Sequence, residues 1–119
     1  MPTRRGLLGG SGERAAWDAY RARGYRLIAR NWRCRLGELD LIVAKGRTIV
    51  FCEVKTRVSA ALGGPHESVT ATKQRKIRAL AEAFIAQSRP DADRYRFDVA
   101  SVTARPGRRP SVYLFEDAF

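Results

Sequence analysis

Hydrophobic and polar residues follow one another in patterns that predict two helices and five strands. From Ile77 onward, apolar residues recur at intervals of three and four, which is typical of a helix with one buried face. Residues 39–44 and 48–54 are rich in Leu, Ile, Val and Phe, interrupted by single acids, and predict two neighbouring strands. The remaining predicted elements are a first helix at 11–23, strands at 25–33, 96–103 and 111–115, and a second helix from about Thr70 or Thr72 to just before Pro90.

This order, α-β-β-β-α-β-β, indicates an α/β fold in which a mixed central β-sheet is flanked by helices. Residues 1–10 lack periodicity and are predicted to form a mobile N-terminal leader before a single domain at residues 11–119. The apolar piece at 6–10 is too short for a signal-peptide core, and no run reaches the roughly 18 apolar residues that span a membrane. We therefore expect a cytoplasmic protein without a membrane partner.

The sequence between the two apolar strands predicts a tight hairpin. Gly46-Arg47 fits a two-residue type II′ turn, in which glycine takes the first central position. A turn closed there pairs Lys45 with Thr48, so the numbers of facing residues add up to 93 along the whole hairpin. A three-residue loop would shift this register.

Continued outward, the same register places Asp40 opposite Glu53 and Glu38 opposite Lys55. Strict alternation would put all four side chains on one face of the sheet. Facing carboxylates are destabilising unless a cation lies between them, and Mg²⁺ (or Mn²⁺) prefers oxygen ligands. Lys55 would add a positive charge for the transition state of a phosphate reaction. The alternative left open is a Glu38–Lys55 salt bridge beside two solvated acids.

The first predicted helix carries a further acid on the side of its large aromatic residues. Glu13, Trp17 and Tyr20 fall at positions i, i+4 and i+7, which lie on one helix face. The aromatic residues mark the buried side and therefore indicate that Glu13 points inward. A solvated glutamate favoured by the helix dipole is the alternative, and position alone leaves both open.

Charge is the most informative bulk property of the chain. Lys and Arg number 23 against 12 Asp and Glu, a formal net charge of +11, which is typical of proteins that bind a polyanion. The turn between the last two strands is itself basic, with the sequence RPGRR. The predicted phosphate contacts beside the acids are Arg57, Lys73, Arg75, Lys76 and Arg78, with an ordinary solvated helix face as the alternative for three of them.

These motifs resemble those of a nuclease superfamily and, more specifically, those of one bacterial protein family. Asp40 followed by Glu53-Val54-Lys55 resembles the D…(D/E)xK signature of restriction-endonuclease-like PD-(D/E)XK nucleases. The segments GERAAW, NWR, GELDLIV, FCEVKTR, VTATKQRKI and RFDVASV, in this order, resemble the YraN family of bacterial proteins, whose relatives include archaeal Holliday-junction resolvases. The resemblance extends from about residue 12 to the C-terminus.

The resemblance implies a restriction-endonuclease-like core and a metal ion held by Asp40, Glu53 and the carbonyl of Val54. Lys55 would position or help deprotonate the attacking water, with Glu13 as a supporting acid and Gln74 near the site. The predicted catalytic set is Asp40, Glu53, Lys55, Glu13 and Glu38.

The predicted function is therefore metal-dependent hydrolysis of DNA phosphodiester bonds, in branched or recombination intermediates, with a homodimer implied by the resolvase resemblance alone. The alternative is a non-catalytic nucleic-acid-binding module with a vestigial metal site. RNA stays open as the polyanion.

Overall fold

The computed structural model describes residues 4–58 and 68–119 of the chain. It confirms the predicted α/β fold and the order of its elements. None of the helices in this described part is both long and apolar enough to cross a membrane. The elements are α1 (Arg4–Ala22), β1 (Arg26–Cys34), β2 (Gly37–Lys45), β3 (Thr48–Arg57), α2 (Ala71–Ser88), β4 (Arg94–Arg105) and β5 (Arg108–Phe115).

Helix α1 begins earlier than the sequence pattern predicts. It starts at Arg4 rather than Ser11, so residues 4–10 of the predicted leader are helical. Each residue added to an existing helix gains one hydrogen bond, and a helix therefore extends through a segment that has no apolar periodicity of its own. Residues 1–3 of the predicted leader lie outside the described residues, as do residues 59–67.

The five strands form one mixed sheet in the order β1-β2-β3-β4-β5. All neighbours are antiparallel except β3 and β4, which run parallel and are joined through α2. Ala16 and Tyr20 of α1 pack into a core on one face of the sheet. The apolar stripe of α2 forms the second core on the other face, through Ile77, Leu80, Ala81 and Phe84.

Both ends of α2 follow the sequence signals. The side chain of Thr70 accepts a hydrogen bond from the Lys73 N–H at 3.1 Å, which is the N-cap arrangement. At the other end Arg89 takes a left-handed conformation, and its N–H donates to the Ile85 carbonyl at 2.9 Å. The cap at Thr70 fixes where the first turn of α2, with its basic residues, meets the sheet.

The hairpin between β2 and β3 has the predicted register. Lys45 pairs with Thr48, and the pairing continues to Leu41 opposite Cys52. Gly46 has a φ of 59°, as the first position of a type II′ turn requires. The ladder ends one pair before Asp40 and Glu53, so the two strands separate where the acids lie.

Helix α1 lies close against β3 at Gly12. A Cβ atom at this position would collide with the hydroxyl group of Thr56, so only glycine allows the helix to lie this close to the strand. This contact lies one residue before Glu13 and sets the depth at which that carboxyl enters the structure. The outermost strands are β1 and β5, and Tyr113 of β5 is 54% exposed. The homodimer stays a prediction.

Candidate active site

The position of Asp40 depends on an irregularity shared by β1 and β2. Arg30 pairs with Leu41 and Trp32 with Leu39, while Asn31 between them has a positive φ of 51°. Leu39 packs in the core under α2, whereas Leu41 packs under α1. Side-chain alternation is therefore broken between Leu39 and Leu41, next to Asp40. That Asp40 lies on the same face of the sheet as Ile42 stays a prediction.

Asp40 nevertheless meets the other acids, because its carboxylate lies in the gap where β2 and β3 separate. It accepts a hydrogen bond from the Val54 N–H at 2.9 Å, and the Glu53 carboxylate is close enough to perturb its ionisation. Carboxylate oxygens of Glu13, Glu38 and Asp40 lie within 4.8 Å of one another. These acids line a cavity of about 500 Å³, together with Arg33, Lys73, Lys76 and residues of β2, β3 and α2.

Glu13 points inward, which decides between the two alternatives for this residue. It is only 6% exposed, and a hydrogen bond with Asn31 favours its charged form. Its Oε2 atom is buried and has no hydrogen-bond partner among the described residues. Burial and then the negative charge of Asp40 raise the pKa of the Glu13 carboxyl above its ordinary value. The arrangement leaves one buried oxygen available to a cation.

Among these acids, Asp40 has the pKa that is shifted furthest from its ordinary value. Burial first, and then the charge of Glu53, raise the pKa of the Asp40 carboxyl from 3.8 to about 7, although the Val54 N–H acts in the opposite direction. The crowding expected between facing carboxylates is therefore present. A cation would relieve this crowding and favour the ionised form.

Two basic side chains form ion pairs with the acids. Lys73 lies 3.4 Å from Glu53, and Arg33 lies 3.1 Å from Glu38. Arg33 and Glu38 are cross-strand partners in β1 and β2, whereas the pairing of β2 with β3 stops before Glu38 can face Lys55. The predicted facing of Glu38 and Lys55 is therefore wrong.

The structure places Lys55 apart from the acids. It lies two residues beyond Glu53 on β3, but its ammonium group donates to the carbonyl of Ser68 and does not line the cavity. Farther along β3, Arg57 donates from Nε to the hydroxyl of Thr103 at 3.2 Å. The Nη2 atom of Arg57 is buried and, among the described residues, has no partner.

The predicted phosphate contacts of α2 lie around the first two turns of the helix. Lys73 and Lys76 line the cavity. Gln74 donates to the Val69 carbonyl at 2.9 Å, and Arg75 donates to the hydroxyl of Thr72 at 3.3 Å. Lys73 and Lys76 therefore face the acids, while Gln74 and Arg75 hold the start of the helix. The guanidinium of Arg78 lies over the ring of Phe97, 4.7 Å from its centroid.

Two residues of the site were missed from the sequence. Asn31 was assigned to an ordinary strand, although asparagine tolerates the left-handed conformation far better than most residues and was a usable signal of the irregularity. Arg33 follows two residues later and faces Glu38 only because the strands pair as they do. No local sequence pattern predicts the contact between Arg33 and Glu38.

The donor set fits a hard divalent cation such as Mg²⁺ or Mn²⁺. All candidate ligands are oxygen atoms, and the buried Oε2 of Glu13 has no other partner in the described part of the chain. Asp40 is grouped with Glu13 and Glu38, while Glu53 lies beside them and is paired with Lys73. Direct ligation of the metal ion by Asp40, Glu53 and the Val54 carbonyl stays a prediction.

The raised pKa of Asp40 predicts how the metal-free protein responds to pH. Its folded-state pKa of about 7 exceeds its ordinary value of 3.8, so its stabilising contribution is full below about pH 4 and is lost as the pH rises through 7. We expect Asp40→Asn to gain stability relative to the wild type between pH 5 and pH 8 in a chelator, by on the order of a few kcal/mol. Melting temperatures that change in parallel for both proteins would contradict this.

Comparison with known proteins places this chain among bacterial relatives. A family model described as "Uncharacterised protein family UPF0102" matches residues 12–102. A UPF0102 protein of Caldicellulosiruptor saccharolyticus is 47% identical over 95 residues, which is 80% of each chain. One of Nocardia farcinica is 47% identical over 105 residues, 88% of this chain and 83% of the relative, and one of Symbiobacterium thermophilum is 45% identical over 112 residues, 94% and 95%. The chain belongs to the UPF0102 family, which is the YraN family indicated by its motifs.

Proposed function

We propose that this protein is a metal-dependent nuclease that hydrolyses phosphodiester bonds of DNA. The observation that carries the proposal is the convergence of four carboxyl groups on one cavity, with a buried oxygen of Glu13 left without a partner in the described chain. Acids gathered in this way are costly unless a cation is bound. The net charge of +11 and the basic residues around the cavity favour a nucleic acid as the substrate.

The residues divide into those that would hold a cation and those that would hold the substrate. Asp40 and Glu53, with Glu13 beside them, would hold Mg²⁺ or Mn²⁺. Such an ion, when bound, polarises a phosphate oxygen and makes a water molecule more acidic. Lys73 and Lys76 at the start of α2 would contact phosphates next to the scissile bond. Lys55, once its ammonium group exchanges the Ser68 carbonyl for the substrate, would stabilise the negative charge that develops on the phosphate.

A non-catalytic nucleic-acid-binding module is the second candidate. The observation in its favour is the position of Lys55, whose ammonium group is engaged by the Ser68 carbonyl instead of facing the acids. A protein of this kind would keep the metal site for folding or docking. It would bind DNA without cutting it.

A cleavage assay separates the two candidates. Purified protein is incubated with branched, flapped, duplex and single-stranded DNA, and with matched RNA, in Mg²⁺ or Mn²⁺. Three variants are compared: Lys55→Ala, Lys73→Ala and, as the charge-matched control, Lys45→Ala. Lys45 lies at the opposite end of β2 and donates to the Arg23 carbonyl.

If Lys55 acts on the transition state, Lys55→Ala lowers the cleavage rate at saturating DNA by about 100-fold, a typical loss for one stabilising group. Lys73→Ala is expected to change metal or DNA affinity more than this rate, and Lys45→Ala to change neither. DNA binding without cleavage by the wild type would overturn the nuclease and support the binding module. Cleavage that is equally strong in chelator would point to a contaminant.

A further inference from the structure

The turn between β4 and β5 carries a concentration of positive charge that the proposed active site does not use. We infer that this basic hairpin, residues 105–109, is a second DNA contact that binds phosphates of the same substrate away from the bond that is cut. The inference rests on the proposed function in one respect, which is that DNA is the substrate of the acidic cavity. The inference adds an interaction surface and sets a minimum length for the duplex that contacts both the cavity and the basic hairpin.

The direction of the strands places the basic hairpin at the end of the sheet toward which β3, the strand that carries Glu53, runs. β3 and β4 run parallel, with Glu53 beside Val99 and Arg57 beside Thr103. β4 continues to Arg105, two residues past the end of the β3 pairing, before the chain turns back. The basic hairpin therefore projects beyond the end of β3 and beyond Arg57.

Spacing along β4 gives the distance between the two contacts. Arg105 lies six positions after Val99, the neighbour of Glu53, along β4. At about 3.3 Å per residue this is roughly 20 Å. With a rise of about 3.4 Å per base pair, a duplex bound at the acids would reach the basic hairpin about six base pairs away. Arg57 lies between the two and extends the line of positive charge.

The basic hairpin is held in shape by one of its own arginines. Arg105 donates from Nε and Nη2 to the carbonyl of Arg109, at 2.9 and 2.7 Å, and so spans the turn. Gly107 at the tip has a φ of 65°, with open space around it. All residues from 105 to 109 are exposed. The charged groups of Arg108 and Arg109 are therefore presented on a defined turn.

The arginines of the basic hairpin have no carboxylate partner among the described residues. Arg105 and Arg108 are cross-strand partners, and like charges at such positions repel each other. In residues 4–58 and 68–119, no carboxylate lies within ion-pair distance of Arg105, Arg108 or Arg109. The sequence from residue 99 to 115 contains no acid at all. A phosphate backbone would remove this repulsion, as a cation does for the acids of the cavity.

The test compares two double variants that remove the same charge from opposite ends of the protein. Arg108→Ala with Arg109→Ala removes the basic hairpin contacts. Arg21→Ala with Arg94→Ala is the matched control, since both residues are exposed and lie away from the acids, at the end of α1 and the start of β4. Affinity for a labelled 20-base-pair duplex is measured in chelator over a series of salt concentrations.

Loss of two phosphate contacts is expected to lower the slope of log affinity against log salt by about two, with affinity weakened about tenfold near 0.1 M salt. The control pair should leave the slope within experimental error of the wild type. Equal losses in both variants would overturn the inference, because they would reflect net charge alone, and so would an unchanged slope in the hairpin variant.

Cleavage at saturating DNA, measured in parallel, separates this inference from the proposed function. A reduced slope in a protein that never cuts would support the basic hairpin contact and reject the nuclease. Normal cutting with an unchanged slope would reject the contact alone. A wild type that does not bind duplex DNA at all would overturn both.

Discussion

Asp40→Asn is expected to abolish metal-dependent cleavage, with a loss on the order of 100-fold to 1000-fold, while the protein stays folded. Asparagine can still accept the hydrogen bond from the Val54 N–H, so the strand separation at the site is preserved. What it lacks is the negative charge next to Glu53 and Glu13 that would attract the divalent ion. Loss of the cation removes several kcal/mol of transition-state stabilisation, which corresponds to a rate loss of this size.

The control for this substitution is Asp18→Asn, which removes one negative charge from the exposed side of the same helix that carries Glu13. Asp18 is about half exposed and lies 3.9 Å from Arg21. The Asp18→Asn variant should cut DNA at the wild-type rate and require Mg²⁺ as the wild type does. A cleavage rate of Asp40→Asn within threefold of the wild type would show that Asp40 does not take part in the chemistry.

The largest effect on stability is expected from Asp98→Ala. Asp98 is fully buried and receives two hydrogen bonds from Arg96, each at 2.9 Å. It also accepts one from the Tyr20 hydroxyl at 2.6 Å and one from the Asp117 N–H at 2.9 Å. Removing the carboxylate leaves the Arg96 guanidinium without its buried partner, which typically costs about 3–5 kcal/mol. A domain of this size has only about 5–15 kcal/mol to lose.

The same substitution has a consequence for the site, because Tyr20 belongs to α1 and Asp98 to β4. Their hydrogen bond ties the C-terminal half of α1 to the sheet, and Glu13 is carried by the same helix. Urea unfolding gives the free energy directly. Asp93→Ala, which breaks an exposed pair with Arg47, is the control and should cost less than about 1 kcal/mol. Equal losses in the two variants would refute the role assigned to the buried network.

Sequence patterns predicted the elements well because each strong signal was local. Gly46 set the turn between β2 and β3, and the turn set the register as far as Leu41. The apolar stripe and Thr70 defined the course of α2. The aromatic residues of α1 left both a buried and a solvated Glu13 open, and the structure shows the buried one.

The details of the site were less predictable because they depend on contacts between distant segments. Asp40 lies in the gap where β2 and β3 separate, beside a residue of another strand, Asn31, that has a positive φ. Glu38 pairs with Arg33 because β1, and not β3, faces it at that position. Lys55 is held by Ser68, which follows residues 59–67 along the chain. None of these partners can be read from the residues next to the acids.

Anomalous diffraction from crystals soaked in Mn²⁺ would show directly whether these acids gather around a divalent cation. One strong peak is expected between the carboxylates of Asp40 and Glu53, next to the Oε2 atom of Glu13, and no such peak is expected in Asp40→Asn crystals. A cavity without manganese at saturating concentration, with Lys73 still paired to Glu53, would contradict this expectation.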